Sequence, residues 1–303
     1  MKIFSCFLFL IPLIAFSQTT YIPLGSQEYI LLDRLDIKLG KDSVLVFSKT
    51  RPFIREYIIP ELDPATKDVA NISKVDAYNL RRLMINNIEW TKGGLSSYKS
   101  KHPWGKTFYQ TPGTIYEAHV KDFDLAVNPV LYFQVSKEKD NNETLFQNTR
   151  GVDIRGRIAN KIGFYSYVAD NQERDPLYVQ EWVTKHEAVP NEGYYKSFKT
   201  TGYDYFDAHG YFTFGVTKYI DVQFGYDKNF IGNGYRSLLL SDFSNNNLFL
   251  KLNTRIWKIN YQNLFMELNA TYPRGADTLL TKKYATMHHL DINIGKTVNV
   301  GLF

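Results

Sequence analysis

From about residue 123 to the last residue, apolar and polar side chains alternate one by one. This two-residue period constrains the fold more than any other feature of the chain. In FDLAVNPVLYFQVS, Leu125, Val127, Leu131, Phe133 and Val135 share a face. GVDIRGRI sets Val152, Ile154 and Ile158 against Asp153, Arg155 and Arg157, and FDAHGYFTFGV sets Phe206, Ala208, Phe212, Phe214 and Val216 against Asp207, His209, Tyr211 and Thr213. KIGFYSYV, YIDVQFGYD, LFLKLNTRIWK, HLDINIG and VNVGLF repeat the pattern, and NLFMELNA places Leu264, Met266 and Leu268 on its apolar face, for about nine segments in all. The joints between them alternate as well. Ala159-Asn160, Thr217-Lys218, Lys258 and Lys296-Thr297 are tight turns, whereas Asp170 to Gly202, Lys228 to Asn247 and Thr271 to Lys283 are longer. Outer-membrane barrels have short turns at the periplasmic end and long loops at the other. A Greek-key sandwich has no reason to alternate so regularly. The expectation is an all-β protein with a small helical region: an antiparallel outer-membrane β-barrel, with a soluble β-sandwich or periplasmic sheet as the competing reading.

The N-terminus agrees with export. MKIFSCFLFLIPLIAFSQ has a basic start, a short apolar core and small residues ahead of Gln18, the pattern of a secretory signal peptide over 1–17. Its removal takes away Cys6, the chain's one cysteine, and with it disulfides, a thiol nucleophile and Cys-ligated metal. Residues 18–112 read as a helical plug on the periplasmic side. Leu31, Leu32 and Leu35 recur at helical spacing with Gly40 as a stop, and Ser73 to Asp76 form a capping-box pattern ahead of Leu80, Leu83, Met84 and Ile88. Gly93 to Gly113 reads as a linker, and 113–303 as the barrel portion. Aromatic residues make up 16% of the chain, with 22 Tyr and 21 Phe, which fits interfacial girdles or carbohydrate-facing surfaces. A net charge of +5 spread along the chain argues against nucleic acid as a partner.

A barrel that begins and ends in the periplasm needs an even number of strands. Nine segments therefore imply that further strands lie beyond Phe303 and that the chain is a fragment. Three stretches, YIPLGSQEYILLDRLDIKLG, NTRGVDIRGRIANKIGFYSYVADNQ and FGYDKNFIGNGYRSLLLSDFSNNNLFLKLNTRIWKINYQNLF, resemble the Wzi-type capsule assembly proteins, in the Bacteroidetes branch where RemB-like gliding proteins are placed. The resemblance implies an 18-stranded outer-membrane barrel, of which nine strands would be half, closed from the periplasm by a helical plug. It also implies a non-catalytic lectin, a monomeric barrel in outer-membrane lipid that anchors capsular or other surface polysaccharide and needs no cofactor. A gliding-associated surface adhesin is the alternative, and a barrel hydrolase the lower one.

The candidate ligand residues come from this sequence alone. Gly232-Asn233-Gly234 lacks the third glycine of a dinucleotide fingerprint, with Ser237 in its place, and reads as a loop displaying Tyr235 and Arg236. In the loop after Asp170, Asp175-Pro176 opens a short helix through Trp182 and His186, and Arg174, Tyr178, Trp182 and Tyr194 offer flat rings and a guanidinium. Rings suit the apolar patches of sugars, and Arg suits uronate carboxylates. Arg155, Arg157, Asp207, His209 and Asp291 are expected to line the lumen, where the arginines would pair with Asp153, Asp207 or Asp291. Asp207/His209 and His289/Asp291 would make a hydrolytic constellation if they converged. His288-His289 makes a poor metal pair, because adjacent strand residues face opposite sides.

Overall fold

A computed structural model describes residues 20–40, 45–64, 72–274, 280–295 and 298–303. The proposed signal peptide and the turn at Lys296-Thr297 lie outside the described residues. Three helices come first: α1 (Glu28–Leu39), α2 (Arg55–Leu62) and α3 (Lys74–Asn86), with a two-residue strand β1 (Thr50–Arg51) between the first two. Gly40 ends α1 in the left-handed conformation expected of a C-cap glycine. Ser73 and Asp76 form the anticipated capping box on α3. Asp76 also receives Arg34 and Lys38 from α1, which ties the two helices together. Those bonds to Lys38, Ser73 and Arg34 hold its carboxyl well below the usual carboxylate range. Leu31, Leu32, Leu35, Leu80, Leu83 and Met84 are buried in one cluster with Ile58, Ile59 and Leu62 of α2.

The rest is antiparallel strand: β2 (Phe108–Thr111), β3 (Thr114–Val120), β4 (Phe123–Lys137), β5 (Thr144–Ile158), β6 (Ile162–Arg174), α4 (Leu177–His186), β7 (Lys196–Phe198), β8 (Gly202–Thr217), β9 (Ile220–Asp227), β10 (Phe230–Ile231), β11 (Asn247–Ile256), β12 (Ile259–Arg274), β13 (Leu280–Ile294) and β14 (Val298–Leu302). All of these strands but β10 belong to one 12-stranded sheet that runs from β2 to β14 in chain order, with β7 pairing on β8 and the helix α4 outside it. The sheet does not close on itself. All nine alternating segments are strands, but two more precede them, β2 inside the stretch read as linker and β3 just after it. β3 and β4 form a hairpin with Val120 opposite Phe123, so strand pairing begins before the first alternating segment. β12 and β13 extend to Arg274 and Leu280, so the joint placed from Thr271 to Lys283 is shorter than its sequence implies. Ala159 and Asn160 both take positive φ (52° and 51°) as the central residues of a turn closed by the Lys161 amide on the Ile158 carbonyl.

Strand register sorts the side chains onto two faces. Directly paired residues share a face. The outer face carries Val127 opposite Ile154, Val152 opposite Val168, Phe164 opposite Phe212, and Phe224 opposite Leu250. Phe133, Phe212, Phe224, Leu250 and Phe265 are all exposed on it. Near the short turns stand Tyr219 and Trp257, each with a lysine ammonium over its ring, Lys218 at 4.7 Å and Lys258 at 4.9 Å. Two ion pairs, Arg150–Asp170 and Glu267–Lys282, stand among the rows, and exposed Phe133 and Val135 lie farther toward the long loops than Arg150. Within the rows, His288 and Asn263 satisfy one another at 2.7 Å, with the Tyr261 hydroxyl 3.2 Å from the same ring nitrogen.

The inner face is polar and carries the helical region in the half nearest the short turns. Tyr57 donates to Asp221, the Arg255 guanidinium lies over the rings of Phe47 and Tyr57, and the Lys49 ammonium sits 3.6 Å from the Asp291 carboxylate. Further along, the Tyr21 amide donates to the Tyr211 hydroxyl at 2.8 Å. Here one expectation is corrected. Leu264 and Met266 face inward rather than sharing the exposed apolar face, and Phe265 takes the outward place. They pack with Phe249, Tyr165 and Tyr211 against Tyr21, so an apolar patch in a polar wall receives the segment before α1.

One pH prediction follows from this interface. Burial and the nearby Asp221 carboxylate raise the Glu56 carboxyl to about 7, against an opposing pull from Arg157. The folded protein then holds that proton more tightly than the unfolded chain does. Glu56 thus costs nothing well below pH 4.5 and progressively destabilises the fold as pH rises toward about 7. Glu56→Gln should flatten this part of the curve of Tm against pH and raise Tm at pH 8. Parallel curves for variant and wild type would show that Glu56 does not contribute.

Candidate functional site

Two long loops meet at the end of the sheet away from the tight turns. α4 begins at Leu177, one residue later than the Asp175-Pro176 signal implies, and is anchored by Val183, buried with Val189 and Tyr203. Trp182 stacks on His186 one turn later, with centroids 4.1 Å apart. Phe243, from the loop after β10, presents its edge to Trp182 at 6.3 Å. The Arg236 guanidinium covers Phe243 at 4.5 Å and lies 5.7 Å from the Tyr235 ring. Tyr235 is 94% exposed. Lys228 fastens the loops together by donating to the Asn191 carbonyl and to Glu192. Trp182, Phe243, Arg236 and Tyr235 thus form a shelf of rings around one guanidinium. Phe243 is its central member, and nothing in the sequence around it marked it out.

The stretch that displays Arg236 is anchored at its base. Phe230 and Ile231 form β10 and pair antiparallel with Thr50 and Arg51 of β1, so the loop bonds to the helical region. Gly232 has a φ of +147°, and a Cβ there would meet the Ser237 hydroxyl at 2.3 Å, which makes glycine necessary for the fold of the loop.

The other candidate residues divide. Tyr178 and Tyr194 are exposed on the same loop as Trp182. Arg174 does not join them. Its register places it on the outer face opposite Phe146, where its guanidinium lies over that ring, donates to the Thr144 carbonyl at 3.1 Å and approaches Glu143. It braces the ends of β5 and β6 and offers no free fork to a ligand.

Arg155, Arg157, Asp207, His209 and Asp291 all face inward, but the expected pairings do not form. Arg155 binds Glu89 at 2.9 Å and the Asn86 carbonyl, both in the helical region. Arg157 binds Asp124 on the adjacent strand and lies over Trp90. Asp207 is 3.1 Å from His209 and accepts from Asn246, and Asp291 lies 3.3 Å from His289. Asp207/His209 sit on β8 and His289/Asp291 on β13, with β9, β11 and β12 between them in the sheet. At about 4.8 Å per strand that separates the pairs by roughly 19 Å, so the hydrolytic constellation does not assemble. Among the described residues no cluster of three or more His, Cys, Asp or Glu is placed to hold a metal ion.

Between the helical region and the long loops, the inner face leaves a groove of about 350 Å³, lined chiefly by Tyr132, Gln147, Thr149, Tyr167, Asn171 and Tyr205, with Asp207 and Glu192 at its margin. The Tyr167 ring stacks on His209 at 4.6 Å, and Thr149 donates to Asn171 at 2.7 Å. Sequence reasoning placed Asp207 here and missed the rest. The signal was present in the polar residues alternating with the apolar ones at the loop-ward ends of β4, β5 and β6. No family model, characterised protein or solved structure matches the chain.

Proposed function

We propose that the protein is a non-catalytic outer-membrane protein that retains polysaccharide at the cell surface. A contiguous exposed apolar face of this extent is unusual for a soluble monomer and has a use against lipid. At the tight turns the face ends in aromatic residues with lysines, Tyr219 with Lys218 and Trp257 with Lys258, as the edge of a membrane band does. No described helix is long and apolar enough to cross a membrane, so strands would do the crossing. The polar inner face with its helical region is what a plugged barrel wall would present, and the resemblance of three segments to capsule assembly proteins points the same way.

The observation that carries the polysaccharide reading is the shelf at the loop end, where Trp182, Phe243 and Tyr235 surround Arg236. Rings meet the apolar faces of sugars, and the guanidinium can hold a carboxylate through two parallel N–H donors. Trp182→Ala and Arg236→Ala should each weaken binding of acidic polysaccharide by about 1–2 kcal/mol, roughly 5- to 30-fold. Folding should be unaffected, because Arg236 is exposed and Trp182 only partly buried. Calorimetric titration of purified protein checks this, and unchanged affinity in both variants would remove the shelf from the site.

A further inference from the structure

Resting on the polysaccharide reading, we propose that the groove on the inner face is a second saccharide subsite, and that it takes a neutral hexose unit rather than a uronate. Its volume of about 350 Å³ lies within the usual range for small-ligand sites, roughly 300–1,000 Å³. Tyr132, Tyr167 and Tyr205 reach it from three strands, and Tyr132 is 49% exposed although it faces inward. Between these rings stand Gln147, Thr149 and Asn171, which both donate and accept hydrogen bonds and so match the dual character of sugar hydroxyls.

Charge decides between neutral and acidic ligands. Asp207 and Glu192 border the groove, and Glu173, with Tyr205 donating to it, stands beside them. The Lys228 ammonium and the His209 ring nearby are already engaged, with Glu192 and Asp207. Among the described residues no arginine lines the space. A uronate entering here would meet carboxylates without a free partner, whereas a hydroxyl would donate to them. Behind Asp207, the Asn246 side chain gives its amide N–H to that carboxylate, while its Oδ1 is buried without a hydrogen-bond partner in the protein. The shelf at Arg236 and this groove therefore select opposite chemistries at one end of the sheet.

The test is calorimetric titration of the full chain in detergent with neutral oligosaccharides of glucose, galactose and mannose, and with oligogalacturonate. At least one neutral oligosaccharide should bind. Tyr132→Ala and Tyr167→Ala should each weaken it about tenfold, and Tyr167→Phe, which keeps the ring, should not. Oligogalacturonate binding should ignore these variants and fall with Arg236→Ala. Tyr132 is half exposed, so its variant stays informative if Tyr167→Ala fails to fold. Binding of oligogalacturonate alone, or neutral binding that ignores Tyr132→Ala and Tyr167→Ala, sinks the subsite and leaves the shelf standing. Binding of neither class sinks the polysaccharide reading itself.

Discussion

Phe212→Arg should weaken insertion of the protein into lipid bilayers by about 2–4 kcal/mol, and Leu250→Arg should do the same. Both side chains lie on the outer face, Phe212 opposite Phe164 and Leu250 opposite Phe224, in the stretch of strand between the tight turns and the long loops. Phe212 is 59% exposed. In a soluble protein an arginine at so open a position would cost little. Facing the middle of a bilayer it costs about 2–4 kcal/mol, and the long side chain must reach for an interface to limit even that. Folding into lipid vesicles, followed by the mobility of unheated samples on denaturing gels, separates the two cases. Tyr178→Arg, on the exposed side of α4, should insert like the wild type. Normal insertion of Phe212→Arg and Leu250→Arg would mean that this face does not meet lipid, and the membrane assignment would go with it.

What the sequence showed and what it hid follow from the range of the interactions. Period-two alternation is local, so β4 and β8 could be read directly from side-chain order. The capping box at Ser73 and the C-cap at Gly40 are local too. β3 was passed over because TIYEAHV follows a stretch rich in Gly, Ser, Lys and Pro, and its outward residues, Tyr116, Ala118 and Val120, make a weaker stripe than those of β4. β12 misled for a different reason. Leu264 and Met266 obey the alternation but face Tyr21, more than two hundred residues away in the chain, and only the docked segment makes an apolar inner wall favourable. The shelf was half legible. Trp182, Tyr235 and Arg236 were identifiable by residue type, but the residue that joins them, Phe243, is one phenylalanine among 21. Arg174 looked equivalent to Arg236 until the strand register put it on the other face.

The buried pair between Arg155 and Glu89 should prove the strongest single tie between the helical region and the sheet. Arg155 leaves the inner face of β5 to meet Glu89 at 2.9 Å and the Asn86 carbonyl, and both charged side chains are almost wholly withdrawn from solvent. Burial alone would push the Glu89 carboxyl up, but Arg155 and Arg55 outweigh it and hold it below its ordinary value. Arg155→Ala strands that carboxylate without its hydrogen-bonded partner, and cutting one side of a buried pair costs about 3–5 kcal/mol. Removing both charges is a different matter, because the desolvation cost disappears with the attraction. Arg155→Met/Glu89→Gln should therefore be closer to wild type than Arg155→Ala is. The acid dependence has a definite sign. A carboxyl depressed in the folded state stabilises above its unfolded pKa, about 4.3, and loses that contribution as pH falls through the folded value. Wild-type Tm should thus drop below about pH 4 more steeply than that of the double variant. Proteolysis offers a readout specific to the interface. In Arg155→Ala, cleavage should begin in the helical region between residues 45 and 91 while the strands stay protected. Uniform loss of protection along the whole chain would show that the pair supports the sheet itself and does not act as a tether.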